Sequence, residues 1–133
     1  MQSEEAGLFI SPNYPHFGAS PDLIVSCGCH GKFMVEIKCP DSIKMAEPSV
    51  HNLDYLMSVD STTTLKERHS YYFQVQGQMG ITETKQAIFF IYTHHGYFIQ
   101  FINFDSELWE QMTKKLIIFG QNTLLLKLTL VIE

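Results

Sequence analysis

The sequence has little positive charge. Among its 133 residues, nine are lysine or arginine and fourteen are aspartate or glutamate, which gives a formal net charge of −5. Arg68 is the single arginine. Proteins that coat nucleic acid through bulk charge neutralise phosphates with many Lys and Arg side chains, so this composition excludes that class. It leaves open an enzyme that brings acidic side chains and a metal ion to nucleic acid.

Long apolar runs and a secretory leader are also lacking. Crossing a bilayer takes about 20 apolar residues, and the most apolar stretch, 124–132, is shorter and is interrupted by Lys127. The chain opens on MQSEE, without the basic and apolar regions of a signal peptide. Cys27, Cys29 and Cys39 are odd in number and closely spaced, unlike a disulfide framework. We therefore expect no membrane partner and an intracellular location, which would be nuclear in a eukaryote.

Hydrophobic periodicity predicts one domain that mixes helices and strands. Residues 7–21, rich in proline and glycine, predict an extended lead-in, and the polar residues 41–64 predict a loop. The two later strands are apolar almost throughout, which is typical of a sheet covered on both faces. The resulting order, β-β-α-β-β-α, indicates the α/β (α+β) class. We predict strands over 23–25 and 33–38 joined by a turn at 28–31, a helix over 65–79 ended by Gly80, strands over 86–93 and 97–103, and a last helix capped by Asp105.

Three charged residues lie on the predicted hairpin. A turn centred near Cys29 and His30 would place Asp22 opposite Ile37, diagonal to Glu36 and Lys38. Two converging carboxylates suit Mg²⁺, which binds one or two protein carboxylates together with water and phosphate oxygens. An adjacent lysine can orient or deprotonate an attacking water. The alternative is a salt bridge of Lys38 with Asp22 or Glu36 at a sheet edge, and the spacing alone leaves both interpretations open.

Several motifs occur in an order that is typical of one family. They are Gly7–Ile10, then GASPD at 18–22, EIKCP at 36–40 and YFQVQ at 72–76. Together they resemble the YqaJ-like viral recombinase family, the lambda-exonuclease-like members of the PD-(D/E)xK nuclease superfamily. The resemblance covers about residues 6–119.

The resemblance implies a fold and an activity. The fold would be a restriction-endonuclease-like core, with a central mixed β-sheet flanked by helices. The activity would be that of a Mg²⁺-dependent exonuclease, with Mn²⁺ able to substitute, that hydrolyses phosphodiester bonds at the ends of double-stranded DNA during viral or mobile-element recombination. The DNA end would be the partner, and the resemblance further implies a ring-shaped homotrimer.

The resemblance also implies roles for residues on the hairpin. Asp22 and Glu36 would bind the metal ion, with the backbone carbonyl of Ile37 as a further ligand. Lys38 would act on the attacking water. Ser20, which precedes the Pro-Asp pair, would contact the substrate.

The helix that follows would contribute a catalytic glutamine. Gln74 and Gln78 lie four residues apart on one helix face, and Gln76 lies well round from them. This spacing does not choose among the three. The family motif favours Gln76 first and Gln74 second for the catalytic role, with Gln78 as a substrate contact.

Some features depart from the family pattern. Leu23 stands where the family usually has glycine, and the family's upstream helix with a further acidic residue has no counterpart, since Glu4 and Glu5 lie too close to the next strand. We therefore expect residues 1–133 to form a single nuclease domain that is truncated at its N-terminus. Residues 120–133 fit the family poorly and are expected to be a tail.

Two alternatives belong to other functional classes. The chain could be an inactive remnant of this fold that acts as a DNA-binding or interaction module. It could also be a zinc-binding module built from Cys27, Cys29, His30 and Cys39. The single residue between Cys27 and Cys29 disfavours zinc, because the paired ligands of structural sites are usually separated by two to four residues.

Overall fold

The computed structural model describes residues 2–5, 9–12, 18–29 and 31–118. This part of the chain forms strands, two α-helices and a short 3₁₀ helix, and none of its helices is long and apolar enough to span a bilayer. The proposed tail 120–133 and His30 lie outside the described residues. The elements are β1 (Gln2–Glu5), β2 (Phe9–Ile10), β3 (Gly18–Ala19), β4 (Leu23–Cys27), β5 (Gly31–Lys38), the 3₁₀ helix Asp41–Ile43, β6 (Leu56–Val59), β7 (Thr62–Leu65), α1 (Ser70–Thr82), β8 (Gln86–Thr93), β9 (Gly96–Asn103) and α2 (Ser106–Ile118).

A five-stranded mixed sheet organises these elements. The strand order is β1-β4-β5-β8-β9, and every neighbouring pair is antiparallel except β5 and β8. Parallel strands need a crossover connection, and here the chain between β5 and β8 includes the β6–β7 hairpin and α1. The predicted class, a central mixed sheet with helices, is confirmed.

The hairpin of β4 and β5 forms as predicted, but its register differs by one residue. Leu23 pairs with Val35, and Cys27 pairs with Gly31, so the loop has three residues and is centred on Cys29. Gly31, the first residue of β5 after this loop, adopts a φ of +80°, which glycine does without steric cost. The predicted pairing of Asp22 opposite Ile37 is therefore off by one position.

Helix α1 begins and ends later than the sequence predicts. Residue 65 closes β7, and the helix starts only after His69, whose Nδ1 accepts a hydrogen bond from the Tyr71 N–H at 3.1 Å. The helix continues to Thr82 and ends at Glu83, which adopts φ +57° and donates its N–H to the Met79 carbonyl.

Gly80 has a packing role in α1. A Cβ atom on this residue would lie 2.4 Å from the Trp109 ring of α2. Glycine therefore allows the two helices to approach closely, and the prediction that it ends α1 is wrong. The last helix does begin as predicted, because the Asp105 side chain accepts the Leu108 N–H at 3.0 Å.

The region predicted as a loop over 41–64 contains the β6–β7 hairpin. Val59 pairs with Thr62 across a two-residue turn at Asp60 and Ser61, both of which have positive φ. Such turns usually carry glycine or asparagine, so the Asp-Ser pair gave no strong turn signal.

Burial alternates along β8 and β9. Phe89 and Ile91 of β8 are fully buried in the core cluster that includes residues of α1. Tyr97, Ile99 and Phe101 of β9 lie on the opposite face and are exposed, Phe101 by 70%. The expectation of a sheet covered on both faces is therefore wrong for β9. It is an edge strand, and α2 packs on α1.

Candidate active site

Asp22 lies at the bend between β3 and β4, beside the end of β5. Its Oδ2 accepts a hydrogen bond from the backbone N–H of Ile37 at 2.8 Å. The preceding Pro21 is buried, whereas Asp22 is exposed. The Asp22 carboxylate is thus tied to the strand that carries Glu36 and Lys38, and it remains accessible from solvent.

Glu36 and Lys38 point to the same face of β5, towards α1, where Gln74 joins them. The Lys38 Nζ lies 3.5 Å from the Glu36 Oε1, and the two side chains are only 12% and 6% exposed. The Gln74 Nε2 donates to the Glu36 Oε1 at 3.3 Å, and the Gln74 Oε1 accepts from the Lys38 Nζ at 3.1 Å. One amide group therefore holds the carboxylate and the ammonium together.

The Glu36 carboxyl has an unusual proton affinity. Burial first, and the nearby Asp22 charge second, raise its pKa from 4.5 to about 7, against the lowering effects of Lys38 and Gln78. Its Oε2 is buried and accepts no hydrogen bond within the described part of the chain. A structural salt bridge would be expected to lower a carboxyl pKa, so the contact with Lys38 does not compensate for the burial of Glu36.

An aromatic ring forms another side of the Lys38 environment. The Lys38 Nζ lies 4.2 Å from the centre of the Tyr71 ring. Tyr71 in turn contacts the rings of Tyr55 and His69. The sequence alone does not place Tyr71 at the site. Its position three residues before Gln74 was the available signal, since that spacing puts both side chains on one helix face.

Gln76 is not part of this cluster. Its Oε1 accepts the backbone N–H of Asp105 at 2.9 Å, and its Nε2 donates to the Asn103 carbonyl at 3.0 Å and to the Tyr72 hydroxyl at 3.3 Å. The side chain therefore joins α1 to the connection between β9 and α2. The structure thus brings Gln74, and not the preferred Gln76, to the carboxylate and lysine, while the catalytic role of either glutamine stays a prediction.

The other two predicted residues have different surroundings. Gln78, one turn after Gln74, is fully buried, and its side chain lowers the pKa of Glu36. Ser20 is exposed next to the buried Pro21, which leaves its hydroxyl accessible near Asp22. A substrate contact by Ser20 or Gln78 stays a prediction.

A zinc site is not assembled by the described cysteines. The Sγ atoms of Cys27 and Cys29 lie 3.4 Å apart at one end of β5. Cys39 follows the other end of this eight-residue strand, roughly 25 Å away at the usual rise per residue. The described residues contain no group of three His, Cys, Asp or Glu side chains arranged to bind a metal ion. The three-cysteine arrangement of the zinc alternative is therefore wrong.

A cavity of about 510 Å³ opens beside Lys38. Tyr55 and Tyr71 line it, together with Asn52 and Asp54. A larger groove, of about 1,080 Å³, lies elsewhere, between β6–β7 and β9. None of Asp22, Glu36, Lys38 or Gln74 lines that groove, so the smaller cavity is the one next to the charged cluster.

Comparison with known proteins shows which family and which solved structures this chain resembles. The family model of the YqaJ-like viral recombinase domain matches residues 1–85. A crystal structure of LHK-Exo in complex with dAMP is similar with a TM-score of 0.59 and 25% identity, over 86% of this chain and 52% of that one. A structure of the alkaline exonuclease (LHK-Exo) from Laribacter hongkongensis is similar with a TM-score of 0.57 and 22% identity, over 86% and 53%.

This chain thus spans about half the length of the solved structures that it matches. A search of curated proteins finds no significant match. The family match covers well over half of the 133 residues and contains the segments that carry Asp22, Glu36, Lys38 and Gln74. The chain belongs to the YqaJ-like viral recombinase domain family.

Proposed function

We propose that this chain carries the catalytic core of a Mg²⁺-dependent deoxyribonuclease that hydrolyses phosphodiester bonds at the ends of double-stranded DNA. The observation that carries the proposal is Glu36, a buried carboxylate with a raised pKa and an oxygen that accepts no hydrogen bond among the described residues. Family membership and the likeness to an alkaline exonuclease support the same reaction class.

The residues present fit a hard divalent cation. A buried carboxylate usually needs a positive partner, and the remaining Glu36 oxygen together with the accessible Asp22 carboxylate offers two oxygen ligands. The Ile37 N–H faces Asp22, and in a strand the N–H and C=O of one residue point to the same side. Asp22, Glu36 and the Ile37 carbonyl would hold Mg²⁺, or Mn²⁺ in its place. When bound, the cation would supply positive charge that offsets the charge developing on the phosphate.

The side chains of this protein have separate tasks in the proposed reaction. Lys38, an ammonium group confined beside Glu36, would orient the attacking water and donate hydrogen bonds to phosphate oxygens. Gln74 would keep the lysine and the carboxylate in fixed positions, since its amide group accepts a hydrogen bond from Lys38 and donates one to Glu36. Ser20, exposed on the approach to Asp22, would contact the DNA strand.

The test compares Lys38→Met with Lys32→Met on linear and covalently closed duplex DNA, in Mg²⁺ and in EDTA. Lys32 lies on the same strand and is exposed, so its replacement controls for a lost positive charge. We expect degradation of linear DNA by the wild type and by Lys32→Met in Mg²⁺ only. We expect a loss of roughly 10²–10⁴-fold in Lys38→Met, the range of one acid–base group.

Other outcomes would contradict the proposal. Equal degradation by the wild type and Lys38→Met would remove Lys38 from the reaction. DNA binding without degradation in any metal would support the inactive, DNA-binding alternative. Cleavage of closed circles would show that the enzyme is an endonuclease and not an exonuclease. Separately, light scattering on the same samples tests the predicted homotrimer.

A further inference from the structure

The ammonium of Lys38 lies over the face of an aromatic ring. Its Nζ is 4.2 Å from the centre of the Tyr71 ring, well within the distance of about 6 Å at which the negative face of a ring attracts a cation. The Lys38 side chain is only 12% exposed, and such attraction is stronger where water is largely excluded. The ring of Tyr71 therefore stabilises the Lys38 ammonium at this position.

Tyr71 is itself fixed by its neighbours. Tyr55 meets its ring edge to face at 4.8 Å and 65°, and His69 does so at 4.8 Å and 68°. His69 also caps the start of α1 by accepting the Tyr71 N–H, which fixes the backbone at the same point. Tyr55 is buried, so the Tyr71 ring has packing contacts of its own besides the one with Lys38.

A lysine needs such a support at this site. Its ammonium is a compact charge on a flexible four-carbon stem, and a reacting group must be held in one geometry to contribute fully. The Glu36 Oε1 and the Gln74 Oε1 supply two polar contacts to the Nζ, and the Tyr71 ring supplies an apolar surface beneath it.

We infer that Tyr71 is a positioning residue, whose ring face holds the Lys38 ammonium against Glu36 and Gln74 for the reaction. The inference deepens the proposed function and rests on it. The attraction comes from the ring and not from the phenol hydroxyl, so Tyr71→Phe should preserve it and Tyr71→Leu should remove it.

Two measurements test the inference on the whole chain. The first is kcat and KM on linear duplex DNA with Mg²⁺. The second is the NMR shift of the Lys38 ε-CH₂ protons without metal, assigned from its absence in Lys38→Met. The control is Tyr97→Leu, which removes an exposed tyrosine on β9, and melting curves confirm that each variant is folded.

We expect the Lys38 ε protons to be shifted upfield by the ring current in the wild type, Tyr71→Phe and Tyr97→Leu, and to lose that shift in Tyr71→Leu. We expect kcat to fall roughly tenfold in Tyr71→Leu, with KM nearly unchanged and with recovery in Tyr71→Phe. Tyr71→pentafluorophenylalanine keeps the ring shape but weakens its negative face, so it should lower kcat as well. If Tyr71→Leu does not fold, Tyr71→Met takes its place.

The inference is overturned if kcat is unchanged in Tyr71→Leu or is not restored in Tyr71→Phe. It is also overturned if the wild type shows no upfield shift at Lys38. An inactive wild type overturns the proposed function instead, and the proton shift then decides whether Tyr71 holds Lys38. The two failures are therefore distinguishable.

Discussion

Replacing Glu36 with glutamine should stabilise the metal-free protein at alkaline pH. The carboxyl pKa is raised by burial and by Asp22 from 4.5 to about 7. Folding therefore favours the protonated form, so the associated stability is fully present below pH 4.5 and is lost as the pH rises through about 7. At about 1.4 kcal/mol for each pH unit between the two values, the cost of the charged form approaches about 3 kcal/mol. Because Glu36 is 4% exposed, solvent screening reduces this figure little.

Urea denaturation in EDTA at pH 5, 6, 7 and 8 measures this effect. The stability of Glu36→Gln relative to the wild type should rise by about 2–3 kcal/mol between pH 5 and pH 8. Glu47→Gln, at an exposed position, serves as the control for removing one negative charge. Added Mg²⁺ at pH 8 should stabilise the wild type and not Glu36→Gln, because a ligand stabilises the state that binds it. If the stabilities of Glu36→Gln and the wild type run parallel across this pH range, the charged form of Glu36 does not destabilise the fold.

Two further changes test the packing around α1. Gln76→Met keeps the side-chain volume but leaves the Asp105 N–H without its partner. It should therefore reduce the free energy of unfolding by about 2–4 kcal/mol in urea titrations, while the activity per folded molecule is retained. If activity falls only in proportion to the fraction of folded protein, Gln76 has a structural role. A variant that is fully stable but inactive would show that Gln76 is catalytic. Gly80→Ala brings a Cβ against the Trp109 ring and should cost about 1–3 kcal/mol. Gly28→Ala, which meets no atom within 4 Å, should cost much less in the same titration.

The sequence predicts four of the five strands of the main sheet, β4, β5, β8 and β9, but not β1 (Gln2–Glu5). The apolar runs that became β8 and β9 and the Asp105 cap carry strong local signals, and the structure confirms them. Helix α1 was misplaced for a specific reason: its buried positions include three glutamines, Gln74, Gln76 and Gln78. A periodicity search that counts only apolar residues cannot locate such a helix accurately.

The cluster of Asp22, Glu36 and Lys38 could be predicted from the sequence, but the glutamine that joins it could not. Neighbouring positions on a hairpin brought Asp22, Glu36 and Lys38 together, as two-residue spacing and strand pairing predict. Which glutamine joins them depends on the rotation of α1 over the sheet. That rotation is set by tertiary packing and has no signature in the spacing of Gln74 and Gln76.

The salt-bridge interpretation of Glu36 and Lys38 can now be weighed against the metal-site interpretation. The ion pair is present, with the Lys38 Nζ 3.5 Å from the Glu36 Oε1, and both interpretations allow it. The Lys38 charge does lower the pKa of Glu36, as a salt bridge should, but burial first and the charge of Asp22 second outweigh it and leave the pKa raised. Placing a second carboxylate close to a buried one destabilises the metal-free fold, and a cation binding to both would reverse that effect. Residues that destabilise the fold without a compensating contact are expected at functional sites. The closeness of the Asp22 and Glu36 carboxylates therefore supports the proposed metal site, which stays a prediction.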